Sequence, residues 1–409
     1  MEARVTIPRP TDPNELPLAI DELFVSRTDM RGVIQSGNMV FRRMSGFEWE
    51  RLLGAPHKLI RHPDMPSGAF ELFWSELKAG RKVGAYVKNR TADGRYYWVF
   101  AVAMPAPGGY VSVRIKPTAG TLDQIRPIYA DLRRCETEEG LSPEASRDAF
   151  LLKLHEIGHP TYASFMAAAL EAEYSARTRS LGRTLPGRVR RGQALAEAIR
   201  KASQNAVTIT RLFEEIRGVP TNIRILAAQL ERGGGPIGVI STNHTTLSEE
   251  MMTGVTEFRA ATERTGRAIE EGVFRACASA LIDDVTDIYQ RENGLPESID
   301  VGAESQLLGE LSRQCAAESD LAMASIATQA EVFAKVAMGV KRHVAGLDVT
   351  RIMCKIENAR LGDRATGLSE IIDTLEEVQA RIALQLAEIE RASRTILSSA
   401  KQTGLADVA

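Results

Sequence analysis

Two short clusters in this chain place side chains of suitable type at a spacing that chemistry needs. The first is His155-Glu156-Ile157-Gly158-His159. Two imidazoles four residues apart on one helix, with a carboxylate between them, supply two zinc ligands and a group that polarises a metal-bound water. Such a pair must share one continuous helical face. Here Gly158 lies inside the motif and Pro160 follows His159 directly, and a residue before proline is driven out of the α region. The sequence therefore predicts an amphipathic helix over 149–157 that ends before the second imidazole. His155 and Glu156 become ordinary surface residues. A third ligand would have to be Glu171 or Glu173, and nothing in the pattern singles either out.

The second cluster, residues 60–99, reads IRHPDMPSGAFELFWSELKAGRKVGAYVKNRTADGRYYWV. Arg61, His62 and Asp64 surround Pro63 and Pro66, so the backbone is stiff and its polar groups are held in place. Trp74 follows on a short helix, and Asn89 sits between Lys88 and Arg90 at the end of an apolar strand. A ring-shaped ligand needs an aromatic wall and a few fixed polar groups, and this stretch supplies both.

The elements that must position these residues fall into two textures. Residues 20–118 hold all three tryptophans and strand-like runs at 32–36, 83–90, 96–105 and 109–117, with a hairpin-turn signal at Ala92-Asp93-Gly94. Helix-like segments lie around 38–53 and 67–79. This order predicts an α+β domain of about 100 residues. From 121 onward Ala, Leu, Glu, Arg and Ile dominate, in long helical stretches broken at 180–187, 233–236, 293–296 and 361–363 by Gly and Pro. In the last helix Leu368, Leu375, Ile382, Ile389 and Ile396 fall seven apart, with Ile371, Val378, Gln385 and Ala392 between them. That seam suits an intermolecular coiled coil or a helix of an internal bundle, with Gln385 as the polar residue that fixes register. The expected division is an N-terminal extension over 1–19, a sensor domain over 20–118, a helical linker over 119–187 and a helical signalling and dimerisation region over 188–409.

Composition excludes several classes. The chain has 409 residues, a net charge of −2 and a pI near 6.4, so no global pull toward nucleic acid or membrane exists. One basic run, Arg177, Arg179, Arg183, Arg188, Arg190 and Arg191, flanks a Pro-Gly break and reads as a solvated linker. Cys135, Cys277, Cys315 and Cys354 are widely spaced, which suits reduced thiols rather than a disulfide framework. The N-terminus lacks the apolar core of a signal peptide, and no apolar run approaches the roughly 18 residues needed to span a bilayer. A cytoplasmic protein without a transmembrane segment is expected.

Residues from about 20 to 118 closely resemble the FAD-binding PAS domains of bacterial aerotaxis receptors. The likeness runs through Ser26, Asp29, Gly32, Ile34, Asn38, Phe41, Ser45-Gly46-Phe47, Gly54, Pro56-His57, the RHPDMP block, Ala69-Phe70, Trp74, Leu77, Gly80, Val87-Lys88-Asn89-Arg90, Gly94 and Tyr97-Trp98-Val99. It implies an antiparallel five-stranded sheet with flanking helices, and a flavin site at Arg61, His62, Asp64, Trp74 and Asn89. A PAS domain that binds haem through His57 or His62, or one that binds nothing and serves as a scaffold, stands beside that reading. No cysteine lies between residues 1 and 134, so flavin–cysteine adduct photochemistry is excluded.

The helical half lacks a kinase ATP lid, a P-loop, and GGDEF or EAL signatures, and no enzyme is expected. Residues 356–363, IENARLGD, resemble the hairpin tip of methyl-accepting chemotaxis proteins, and residues 221–240 resemble it again in shortened form. Both copies are degenerate: glycines break the tip at 233–236, and Gly367-Leu368-Ser369-Glu370-Ile371 replaces the usual apolar run. The resemblance implies a homodimer whose helices contact a protein partner, with a chemotaxis kinase or adaptor as the expected one.

Overall fold

The computed structural model describes residues 12–230, 235–361 and 366–401. The chain forms two compact units, one of residues 1–190 with 270–320 and one of residues 191–269 with 321–409.

The first unit is built on a five-stranded antiparallel sheet: β1 (Leu23–Asp29), β2 (Ile34–Gly37), β3 (Val83–Arg90), β4 (Tyr96–Ala106) and β5 (Gly109–Ile115), in spatial order β2-β1-β5-β4-β3. β1 is absent from the sequence expectations. It lies inside the sheet, buried on both faces over most of its length, so LFVSRTD shows no clean alternation to mark it. It runs so close to β5 that a Cβ on Gly109 would sit 1.8 Å from the Thr28 carbonyl oxygen, so only glycine fits there. Between β2 and β3 come α1 (Met39–Ser45), α2 (Trp49–Leu52) and α3 (Ser67–Lys78). The single helix expected over 38–53 is split at Gly46, whose left-handed φ of 71° returns its N–H to the carbonyls of Arg42 and Arg43.

α4 (Thr121–Glu138), α5 (Pro143–Glu156) and α6 (Tyr162–Ser180) follow the sheet. α3 meets α5 so tightly that a Cβ on Gly68 would lie 2.4 Å from the backbone of Ser146 and Arg147. α6 covers one sheet face. Tyr162 donates to the Gly84 carbonyl at 2.9 Å, and Tyr86 donates to Glu173 at 2.7 Å. Glu173 is buried and also accepts the Thr118 and Ala119 N–H groups, tying the end of the sheet to the helix. The unit is completed by residues 270–320, the adjoining ends of α9 (Pro236–Tyr289) and α10 (Val301–Leu361) and the loop between them. Lys82 pairs with Glu318 at 2.5 Å here. The basic run expected as a solvated linker is partly consumed in this packing. Arg177 is 2% exposed; it donates to the Ile20 carbonyl at 3.1 Å and to Asp284 at 2.6 Å. Arg188 pairs with Asp320.

The second unit draws on α7 (Gly187–Ile216), α8 (Val219–Leu230), α9, α10 and α11 (Thr366–Lys401). Ile209, Phe258, Val340 and Ile389, one from each of four helices, converge on one small internal void, and Phe258 packs on Phe333 with centroids 4.6 Å apart. Leu368, Leu375, Ile382, Ile389 and Ile396 are all buried, so this seam is covered inside the chain. Its second column departs from the heptad expectation. Val378 and Ala392 are buried, but Ile371 and Gln385 are only half-buried, and Ile372, Gln379 and Leu386 take the interior. The second column keeps the seven-residue spacing, at 372, 379, 386 and 393, but follows the first by four residues rather than three. The polar residue in the seam is thus Gln379, which accepts from Arg351 Nε at 2.9 Å, rather than Gln385.

One helix bears on the expectation about membranes. α10 carries an 18-residue stretch apolar enough to cross a bilayer by length and composition. The same composition serves a bundle core, where Met323, Ile326, Phe333 and Val340 of this helix are buried.

Candidate ligand cavity

β1, β3, β4 and β5 present their second face to a cavity of about 510 Å³, closed on the other side by the 54–62 segment and α3. That volume falls in the usual range for small-molecule sites. The wall is aromatic on the helix side: Phe70, Phe73 and Trp74 line it with Tyr110, and Trp74 meets Tyr110 edge-on at 5.5 Å. Gly32 lets the β1–β2 turn approach the indole, since a Cβ there would come 3.3 Å from it.

Of the five site residues expected from the sequence, three line this cavity: Arg61, Trp74 and Asn89. Asn89 and Arg61 face each other across an isolated antiparallel bridge. Asn89 is 2% exposed, and its amide nitrogen makes no close hydrogen bond, with only the buried Tyr97 hydroxyl as a weak neighbour. Arg61 stacks on Phe70 with its guanidinium carbon 4.0 Å from the ring centroid. The other two lie outside the lining. His62 packs edge-on against Tyr96, and its Nδ1 accepts the Asp64 N–H at 3.1 Å. Asp64 is exposed and takes Lys88 Nζ at 2.6 Å. Burial opposes its charge, but the Lys88 ammonium prevails and holds the carboxyl below its ordinary range. These two residues stiffen the loop that carries Arg61 rather than touch the cavity.

One buried charged group was not anticipated. Arg114 on β5 is 4% exposed and lines the cavity. It donates to Ser26 Oγ at 2.9 Å and to His57 Nε2 at 2.8 Å, beneath the rings of Phe24 and Phe41. Burial lowers its pKa to about 10, and the group that favours its charge is Tyr97, not a carboxylate. His57 is driven down to about 3 by burial and by Arg114, so it is neutral and its Nε2 is an acceptor. The cavity therefore holds a buried cation without an acidic partner. Its rim adds Arg31, Lys58, Arg61 and Lys78, and no Asp or Glu appears among the described residues lining it. Ser112 Oγ, on the same wall, is buried without a close partner, like Asn89. A burial cost of this kind calls for an anionic or carbonyl-rich ligand.

The His155–His159 cluster assembles no site. α5 ends at Glu156, Gly158 has φ of 95°, and His159 lies beyond the helix against Phe165. The two imidazoles share no helical face.

A PAS-fold family model matches residues 36–110. The aerotaxis receptor of Escherichia coli K12 is 38% identical over 128 residues, which are 30% of this chain and 25% of the receptor. The chain thus spans about a quarter of the length of that relative. Among solved structures, a PAS domain from Colwellia psychrerythraea matches 24% of this chain and 86% of its own at 21% identity, with a TM-score of 0.21. The LOV domain of a blue-light activated histidine kinase from Erythrobacter litoralis matches 22% of this chain and 90% of its own at 17% identity and a TM-score of 0.21.

Proposed function

We propose, from the premise that residues 36–110 form an aerotaxis-receptor-like PAS domain, that this chain is a cytoplasmic redox or oxygen sensor holding FAD in the cavity. The relationship supports a sensory role in chemotaxis-like signalling, and that role, the cofactor, the location and the partner together make up the proposal. The observation that carries it is the charge of the cavity: Arg114 buried without an acid, and Lys58, Arg61 and Lys78 at the rim, where Arg31 is paired with Asp29. A dinucleotide's diphosphate suits the rim of Lys58, Arg61 and Lys78. Trp74 offers a wall for a flat ring system, and the Asn89 amide, which makes no close hydrogen bond, suits a ring carbonyl. Bound FAD would supply reversible electron uptake. The chain's own residues would hold it, exclude water and respond to its charge.

Haem fits less well. His57 Nε2 is engaged by the Arg114 guanidinium at 2.8 Å, and His62 does not line the cavity. The helical region, as a homodimer, would carry the state to a protein partner of the chemotaxis kinase or adaptor kind.

An absorption spectrum of the purified full chain, before and after dithionite, tests this. Two bands in the blue and near-ultraviolet that bleach on reduction are expected. A colourless protein that takes up no added FAD would overturn it. Trp74→Ala and Asn89→Ala should each lower flavin content while the helical circular-dichroism signal stays constant.

A further inference from the structure

The walls of the cavity are tied to a segment far away in sequence. Asn38, buried at the start of α1, is a node: its Oδ1 accepts the N–H groups of Val25 and Phe41, both at 3.2 Å, and its Nδ2 donates to the Leu23 carbonyl at 3.0 Å. That same Nδ2 lies 3.0 Å from Glu292 Oε1, and the Met39 N–H donates to Glu292 Oε2 at 2.8 Å. Glu292 belongs to the α9–α10 loop and places its carboxylate on the first turn of α1, where free N–H groups and the helix dipole favour an anion. A second carboxylate, Glu304 in the first turn of α10, accepts from Arg27 Nε at 2.7 Å.

Both anchor points have a side facing the cavity. Arg27 points outward from β1, while its neighbours Ser26 and Thr28 line the cavity, and Ser26 Oγ holds Arg114. Phe41 of α1 is stacked between Phe24 at 6.3 Å and His57 at 6.1 Å, and His57 also holds Arg114. A displacement of Arg114 or His57 must therefore press on β1 and α1, the two elements that Glu292 and Glu304 grip.

We infer that the α9–α10 loop and the first turn of α10, residues 290–304, are the receiver of the cavity's state, latched to β1 and α1 by Glu292 and Glu304 and loosened when Arg114 shifts. This rests on the flavin reading only for the natural trigger; the latch itself does not need it. Gln at 292 loses the charge and turns an amide NH2 toward one of the two donors, because Asn38 Nδ2 and the Met39 N–H meet different oxygens of Glu292.

Amide hydrogen exchange on the full-length protein tests the inference, with the absorption spectrum recorded on the same samples. E292Q/E304Q should raise exchange at 23–41 and 290–304 by about tenfold. E318Q, which removes the Lys82 pair at β3 on the opposite edge of the sheet, should leave those segments unchanged. In the wild-type chain, dithionite should raise exchange at 290–304. Ser26→Ala, which removes one Arg114 hydrogen bond without touching the latch, should do so too. In E292Q/E304Q neither should add a further rise. If exchange at 290–304 is unmoved by both dithionite and Ser26→Ala, the inference falls. A chain that holds no flavin would overturn the cofactor reading, and Ser26→Ala alone would then decide the latch.

Discussion

The sheet unit and the helical unit differ in where their unsatisfied groups lie. In the sheet unit Asn89 Nδ2 and Ser112 Oγ are buried without close partners on the wall of an open cavity, beside a guanidinium with no acid. In the helical unit His244 Nε2, Gln329 Oε1 and Gln379 Nε2 are also buried without partners, but they sit among packed helices, and apolar surface is left exposed: Leu321 is 72% exposed and Ile356 64%, and Val349, Ile352 and Met353 share a face with Ile356. Unsatisfied buried polarity is relieved by a ligand, and uncovered apolar surface by another macromolecule. On the proposed function, ligand binding falls to the cavity of the sheet unit and protein contact to the exposed apolar face of the helical unit.

The largest effects should respect that separation. Phe258→Ala removes a ring stacked on Phe333 in the helical core and should cost about 3–5 kcal/mol in chemical denaturation. Flavin content of the folded fraction should not change. A parallel loss of flavin in that variant would show that the units are not separate in this sense. Arg114→Met should do the reverse. Ligand affinity should fall about a hundredfold, the worth of roughly two charged hydrogen bonds. The stability of the ligand-free chain should be unchanged or higher, because a buried charge without an acid is gone. Isothermal titration with FAD and urea unfolding of the apo chain read the two halves of this prediction.

Arg114 also shows what the sequence hides. The breakers at 180–187 and 293–296 and the helix over 67–78 were legible because Gly, Pro and apolar spacing act locally. Arg114 was not. In the strand GYVSVRI the alternating polar positions Ser112 and Arg114 read as a solvent face, but that face lines the cavity. The signal that marks it is the polar pair Ser26 and Thr28 on β1, which lies beside β5 with Ser26 opposite Ser112. Conversely, His62 and Asp64 sit in so rigid a frame that they read as site residues, yet the frame aims them outward. Gln385 and Gln379 differ for a related reason. The heptad spacing holds along the whole seam, but the sequence allows the second column at +3 or at +4 from the first, and packing selects +4, which buries Gln379 rather than Gln385.

Acid should separate the units more gently. His57 in the sheet unit is lowered from 6.5 to about 3 by burial and by Arg114, and His244 in the helical unit is lowered to about 4 by burial. A histidine that holds its proton more weakly when folded stabilises the fold fully above pH 6.5. That stabilisation is lost as pH falls toward the folded value, by about 1.4 kcal/mol per pH unit for each group. His57→Gln should flatten the acid limb of stability between pH 6 and 4 in a probe local to the tryptophans, all of which lie in the sheet unit. His244→Gln should flatten it only in the helical signal. Equal flattening of both signals by either variant would mean that the units unfold as one.

The smallest effect belongs to the motif with the most familiar spacing. His155 is exposed and His159 lies past the end of α5, against Phe165. Ala at His155 should change stability by less than about 0.5 kcal/mol. Ala at His159 should cost somewhat more, through its contact with the Phe165 ring. Chelation by EDTA should leave the melting temperature where it was in the wild type and in both variants. A drop on chelation that the variants abolish would mean that zinc draws the two imidazoles together, which requires the chain at Gly158 to refold into helix against Pro160. Proline's missing N–H and its clash with the preceding turn set the cost of that at about 3 kcal/mol, which two ligands without a third partner nearby must overcome before the metal is held at all.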